Sequence, residues 1–308
     1  MCMSRFIGTS IENDLPILFQ KFPYQRLNLY MLGKVHPLKK YLQDQESDRV
    51  QPERQASFLH ATRAMTQSAP NPKKAEYITA GKSAILYGID SKRVLKEYFE
   101  DDRRDVEFQA YDRLGSHPNI ARYLGCQGAN AIILERGEPV RTIYQGRNAD
   151  RIPLHMKTRW IRQAAGGLQY IHQKGIVHAD VGVNNMIIVN DCLKIIDFEG
   201  CSINGKPADS CYQWFCYRPS PTVSIQTDIF AYGCAIYEII TGQPPYHEFE
   251  GYPDRYVEQL YTANQFPDVS RLPLGELMLH CWNGRFQTMA EVIQELEAFQ
   301  PSAFQTEL

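Results

Sequence analysis

Asp180, Asn185 and Asp197 are isolated oxygen-bearing side chains among apolar runs in IVHADVGVNNMIIVNDCLKIIDFEG, residues 176–200. MIIV and LKII flank NDC, so the segment reads as strand, tight turn, strand: a hairpin. With the turn centred on Asp191, residues whose numbers sum to 382 face one another, which sets Asn185 opposite Asp197. Cross-strand neighbours lie roughly 5 Å apart, and a one-residue slip still leaves this pair adjacent. An amide oxygen and a carboxylate therefore meet at the open end of one hairpin, with Asp180 one loop away. Any one of the three could simply cap the hairpin. Together, hard oxygen ligands beside a third carboxylate suit Mg²⁺, which keeps water and binds phosphate oxygens.

The elements that must position these residues are legible on both sides. YITAGKSAILYGI and RVLKEYF read as short strands, and RRDVEFQAYDRLG as a helix closed by Gly115. NIARYLGCQ and NAIILERGE read as two more strands. The pattern then turns helical. TRWIRQAAGGLQYIHQKG carries Ile161, Ala164, Ala165, Leu168 and Ile171 on one stripe, stopped by Gly175. TDIFAYGCAIYEIITG is apolar all round, hence a buried helix. TMAEVIQELEAF opens with Thr288 and Glu291 at capping-box spacing. A sheet with one helix followed by a helical domain is α+β with two lobes. On RVLKEY, Val94, Lys96 and Tyr98 share a face, so a cation sits among apolar neighbours. Glu107, Tyr111 and Leu114 fall at i, i+4 and i+7, which puts a carboxylate on an inward stripe. A charge buried alone is costly, so each of Lys96 and Glu107 wants a partner.

VHADVGVNN…KIIDFEG resembles the catalytic loop and metal-binding segment of the eukaryotic protein kinase family, H-R-D-x-x-x-x-N…D-F-G. The resemblance implies a bilobal fold, a small β-rich N-lobe with one regulatory helix and a mainly helical C-lobe. It also implies ATP and Mg²⁺, and a protein substrate of unknown identity. In that family the first Asp orients the substrate hydroxyl and accepts its proton, and the Asn and second Asp hold Mg²⁺ on the phosphates. Carried over, these are Asp180, Asn185 and Asp197. RVLKEY resembles the V-A-I-K strand, which makes Lys96 and Glu107 the phosphate-anchoring pair. TAGKSA offers Gly81 for a glycine-rich loop, with Thr79 and Ala84 in the other two glycine places; Gly81 serves a plain hairpin turn equally well. LGSHPNI resembles the segment after the regulatory helix. IILERG resembles the strand into the adenine-binding hinge, with Leu134 at the back of the pocket and backbone groups of Glu135 and Gly137 facing the base. TDIFAYG supplies Asp228 to brace the catalytic loop, and TGQPPY and CWNGRF…MAEVIQEL match the turn and helices that follow. The resemblance divides the chain into an extension (1–75), an N-lobe (76–137), a C-lobe (138–300) and a tail (301–308). QDQESDRVQPERQAS and QSAPNPKK make the extension partly disordered linker.

Five departures qualify the match. The family's H-R-D reads His178-Ala179-Asp180, which removes the Arg that meets an activation-segment phosphate; Ser202 and Ser210 are then plain loop serines. Serine/threonine members place Lys two residues after the catalytic Asp, where this chain has Gly182, and tyrosine members place Arg where it has Asn184. Losing a charge-stabilising group at a phosphoryl transition state costs rate. D-F-G reads Asp197-Phe198-Glu199-Gly200, and Glu199 either repels phosphate or holds extra cation. A-P-E reads Arg218-Pro219-Ser220, which deprives Arg285 of a carboxylate. The glycine loop is poor. Phosphotransfer to protein Ser/Thr hydroxyls leads. A nucleotide-binding pseudokinase follows, favoured by Gly182 and Glu199, and a small-molecule phosphotransferase stands third.

Bulk properties agree. The 308 residues carry a formal net charge of −2, so no basic surface advertises nucleic acid. The eight cysteines form no C-x-x-C pair, which argues against zinc and for reduced thiols in an intracellular setting, cytoplasmic or nuclear. The N-terminus lacks a signal-peptide pattern, and no 18-residue apolar run suggests a membrane span. A monomer is expected.

Overall fold

The computed structural model describes residues 75–146, 151–216, 223–252 and 255–299. The expected extension as far as residue 74, the Arg218-Pro219-Ser220 motif and the tail lie outside the described residues.

The first half is an antiparallel sheet of β1 (Glu76–Ala80), β2 (Ala84–Gly88), β3 (Arg93–Tyr98), β4 (Tyr123–Gln127) and β5 (Ala131–Glu135), in the order β1-β2-β3-β5-β4. One helix, α1 (Asp101–Leu114), crosses between β3 and β4 and buries Glu107, Ala110, Tyr111 and Leu114. Gly115 ends it as expected, at φ 61° with its N–H on the Tyr111 carbonyl. In β3, Val94, Lys96 and Tyr98 are buried on the shared face.

A short connection, β6 (Glu138–Pro139) and α2 (Val140–Gly146), leads into the helical half. There α3 (Leu154–Gln173) packs on α4 (Ile225–Thr241) and α7 (Met289–Ala298), and α6 (Gly275–Trp282) packs on α4; α5 (Tyr256–Thr262) completes the set. The stripe Ile161, Ala164, Ala165, Leu168 and Ile171 is fully buried. Burying an Ile or Leu contributes about 1.5–3 kcal/mol relative to leaving it exposed. α4 is apolar all round because it is enclosed, and its ends are fixed locally. Ser224 and Thr227 form a reciprocal capping box, and Gly242 takes the left-handed conformation (φ 81°) that closes the helix. Thr288 and Glu291 cap α7 by the same device. The fold is α+β and two-lobed, as the sequence pattern requires.

Two small sheets lie on the helical half. β7 (Ile176–Val177) pairs with β10 (Ser202–Ile203), so Ser202 is a buried strand residue rather than a loop serine. β8 (Met186–Val189) and β9 (Cys192–Ile195) form the expected hairpin, but their partners sum to 381, not 382. The turn has two residues, Asn190 and Asp191, both left-handed at φ 49° and 61°. That is the turn whose twist matches the strands. Asn185 therefore faces Ile196, whose N–H its carbonyl accepts at 3.0 Å, and Asp197 is the next residue along, past the end of β9. No helix of the described residues is long and apolar enough to cross a membrane. The seven described cysteines are free.

Candidate functional site

Asp180 follows β7, Asn185 immediately precedes β8 and Asp197 follows β9. Asn185 is held by its own loop: its N–H donates to the Gly182 carbonyl at 3.0 Å. Its amide Nδ2 donates to the Asp180 carbonyl (2.8 Å) and the Asp180 carboxylate (2.9 Å). Using the NH₂ in this way leaves the amide oxygen of Asn185 as an acceptor. The other carboxylate oxygen of Asp180 is buried without a hydrogen-bond partner among the described residues. Burial pushes the Asp180 carboxyl up; His178 and the Asn185 amide oppose this, Asp197 and Asp228 reinforce it, and the net direction is upward.

The backbone beneath is fixed by Asp228 on α4, fully buried. It accepts from the N–H groups of His178 (2.8 Å) and Ala179 (3.0 Å) and from the Tyr212 hydroxyl (2.7 Å), and its second partner side chain is His172 Nε2 at 2.9 Å. These contacts hold Ala179 at φ 65° and fully buried, where the related motif has Arg. Holding a non-glycine residue there costs energy that the network must supply. Burial alone would raise Asp228, but His172, His178 and Tyr212 outweigh it and hold the carboxyl below its ordinary range. His178 Nδ1 accepts from Asp180 N–H (3.3 Å), so its Nε2 is assigned the proton that reaches the Ile196 carbonyl (3.0 Å). One imidazole thus ties the Asp180 loop to the Asp197 segment.

Lys96 reaches this cluster from β3. Its Nζ lies 2.7 Å from Glu107, 2.6 Å from Asp197 and 2.9 Å from Glu199. Burial pulls the ammonium down, but Asp197, Glu107, Tyr98 and Glu199 outweigh it and hold it well above the ordinary lysine range. Asp197 moves the other way: burial raises it, Lys96 more than offsets this, and the carboxyl is held low. Glu107 also accepts from the Tyr98 hydroxyl and from the Phe198 N–H (3.1 Å). The expected Lys96–Glu107 pair is therefore formed, and its network is larger than the sequence showed.

The remaining expected residues lie around this centre. Gly81 turns β1 into β2, its N–H on the Ala84 carbonyl (2.8 Å). Thr79 is exposed on β1, whereas Ala84 is buried in β2. Leu134 is buried at the end of β5. The N–H of Glu135 is taken by the Arg122 carbonyl (2.9 Å), so its carbonyl is the backbone group left to face a base. The Glu135 carboxylate binds Arg122 and Lys194 instead. Gly137 lies so close to β8 that a Cβ there would meet the Ile188 carbonyl at 2.7 Å. Arg285 rests against His280 at 2.7 Å.

Sequence reasoning missed Ser83, Tyr98 as a donor, and His172. Ser83 Oγ donates to Glu199, 116 positions away. Its place inside TAGKSA was the available signal; nothing local in the sequence pointed to His172.

The arrangement offers a deeply held ammonium, a pair of hard oxygen ligands and a carboxylate with a free oxygen. The remaining Asn185 acceptor and the Asp197 carboxylate fit a hydrated divalent cation carrying phosphate oxygens, and the orphaned Asp180 oxygen is left for a hydroxyl donor. A family model described as "Protein kinase domain" matches residues 88–296. The chain is similar to "Probable serine/threonine-protein kinase gdt4" of Dictyostelium discoideum, 22% identical over 255 residues, covering 72% of this chain and 16% of that protein. It is 30% identical over 151 residues to "Cell division control protein 7" of Schizosaccharomyces pombe, covering 44% of this chain and 14% of that one. It is 27% identical over 218 residues to "Mitogen-activated protein kinase kinase kinase 11" of Homo sapiens, covering 60% and 25%. The matched segments span a quarter or less of the length of these relatives.

Proposed function

Because the chain belongs to the protein kinase domain family, we propose that it transfers the terminal phosphate of ATP to serine or threonine hydroxyls of a protein substrate. The observation that carries this reading is the joint presence of two groups, Lys96 with Glu107 and Asp197, and Asp180 with Asn185, tied together through His178 and the Ile196 backbone. Glu107 fixes Lys96, and Lys96 holds phosphate oxygens. The Asn185 amide oxygen and the Asp197 carboxylate hold Mg²⁺, which neutralises charge on the phosphates. Asp180, with one oxygen on Asn185 and the other free, orients the acceptor hydroxyl and takes its proton. The direction of the Asp180 shift suits a base better than an unperturbed carboxylate would. Leu134, the Glu135 carbonyl, Gly137 and the Gly81 turn enclose the nucleotide. The acceptor assignment is supported by a relative whose name specifies a serine/threonine-protein kinase. Its test is phosphoamino-acid analysis of a generic protein substrate after incubation with Mg²⁺-ATP. Phosphoserine or phosphothreonine supports it, and phosphotyrosine alone contradicts it.

The contact of Glu199 with Lys96 favours a second reading, a nucleotide-binding module without turnover. Nucleotide stabilisation with no transfer would support that reading, and robust transfer rules it out.

A further inference from the structure

Glu199 stands where the related motif has glycine, and its carboxylate has found two partners from the opposite half of the site. One oxygen accepts from Ser83 Oγ, in the loop between β1 and β2. The other lies 2.9 Å from Lys96 Nζ. Its side chain is only 17% exposed. An ammonium in ion-pair contact and a hydroxyl from the β1–β2 loop are the two kinds of group that a nucleotide phosphate would need in this position. Lys96 is already shared by Glu107 and Asp197, so Glu199 is the third carboxylate on one cation. Glu107 has further partners in Tyr98 and Phe198, and Asp197 is a candidate metal ligand. Glu199 is the member of the three that can leave without breaking either arrangement.

We propose that Glu199 is a built-in occupant of the phosphate position, latched by Ser83 to the β1–β2 loop, and that nucleotide enters by displacing it. The inference rests on the phosphotransfer reading of the site. It chooses between the two roles open to this residue, since a carboxylate seated on the lysine competes with phosphate rather than recruiting a cation for it. The site then resists metal-free nucleotide, and admits it when bound cation has screened the phosphates.

The experiment is a titration of the full chain with a non-hydrolysable ATP analogue, with and without Mg²⁺, for wild type, Glu199→Gln and Ser83→Ala. Losing a charge-assisted contact that competes with the ligand tightens metal-free binding about tenfold in Glu199→Gln. Ser83→Ala tightens it less and speeds hydrogen exchange of residues 81–84 in the nucleotide-free protein. Wild-type binding with no gain in Glu199→Gln, or with weaker Mg²⁺-dependent binding, overturns the latch and leaves the phosphotransfer reading intact. No nucleotide binding by wild type or either variant overturns both. Should Glu199→Gln fail to fold, the affinity and exchange of Ser83→Ala decide the matter alone.

Discussion

Lys96 carries one positive charge into a site where Glu107, Asp197 and Glu199 all lie within 2.9 Å of it. Removing that charge strands the buried Glu107 and two partly buried carboxylates, which is worse than never having buried them. Lys96→Met should therefore cost about 3 kcal/mol in a urea unfolding experiment as well as abolish nucleotide binding. An unchanged midpoint would show that the carboxylates find other partners. Gly182 is the other decisive residue. Its extended backbone (φ 178°) accepts any residue, but a Cβ would lie 2.5 Å from Asn184 Oδ1 and 3.4 Å from Gln213 Nε2. Restoring the lysine alone therefore forces Asn184 aside. Gly182→Lys with Asn184→Ser should raise kcat about tenfold over wild type by returning a cation to the transferring phosphate, and Gly182→Lys alone should gain less. Steady-state kinetics on one peptide would check both. At this scale the pairing of Lys96 with Glu107 and of Asp180 with Asn185 was legible, because these residues sit at fixed spacing on or beside regular elements. Ser83 and His172 were not, because each acts through a contact made only after distant segments pack, and the Tyr98 hydroxyl reaches Glu107 only once α1 docks on β3.

The β8–β9 hairpin and α4 set the site's precision. The hairpin was legible as a strand pair, but its register was off by one. Centring the turn on Asp191 assumed an odd turn, whereas left-handed Asn190 and Asp191 make a two-residue one. A one-residue slip turns a facing side chain to the other face of a strand, so the ladder alone does not bring Asp197 to Asn185; Asp197 lies past the end of β9, where its left-handed backbone (φ 71°) breaks the alternation. α4 was legible as a buried helix from its unbroken apolar content, and its Asp228 as a brace, though not the four partners that the brace holds. Asp228→Asn should destabilise the protein by about 2–3 kcal/mol near neutral pH, since an amide cannot accept from all four. The depressed folded-state titration fixes the sign of the pH dependence. The stabilisation from ionised Asp228, facing His172, His178 and Tyr212, is complete above the ordinary carboxylate value of about 3.9 and is lost as pH falls through the lower folded value. The gap between wild type and variant in denaturant unfolding should therefore be flat from neutral pH to about 5 and shrink below about 4. A gap that widens on acidification would contradict this assignment.

Across the whole molecule, the two halves of the site are joined by an aromatic column. Tyr123 stacks on Tyr111 (6.1 Å), Tyr111 meets Phe198 edge-on (5.2 Å), and Phe198 meets His178 (5.1 Å), whose N–H is held by Asp228. This column carries the sheet, α1, the Asp197 segment and α4 in one packed line. It explains how residues from five separate elements reach a common point. The two-lobed division was legible from the change of hydrophobic period along the chain; the column was not, because ring contacts depend on how the lobes meet. The central claim is that this assembled site moves phosphate, with Asp180 as its base. Its most direct test follows the labelled γ-phosphate of Mg²⁺-ATP into a generic protein substrate, comparing the purified chain with Asp180→Asn. Removing the base should lower the transfer rate by at least about a hundredfold, while nucleotide binding stays within a few-fold. Equal rates in the two proteins, or no transfer by either, would contradict the account.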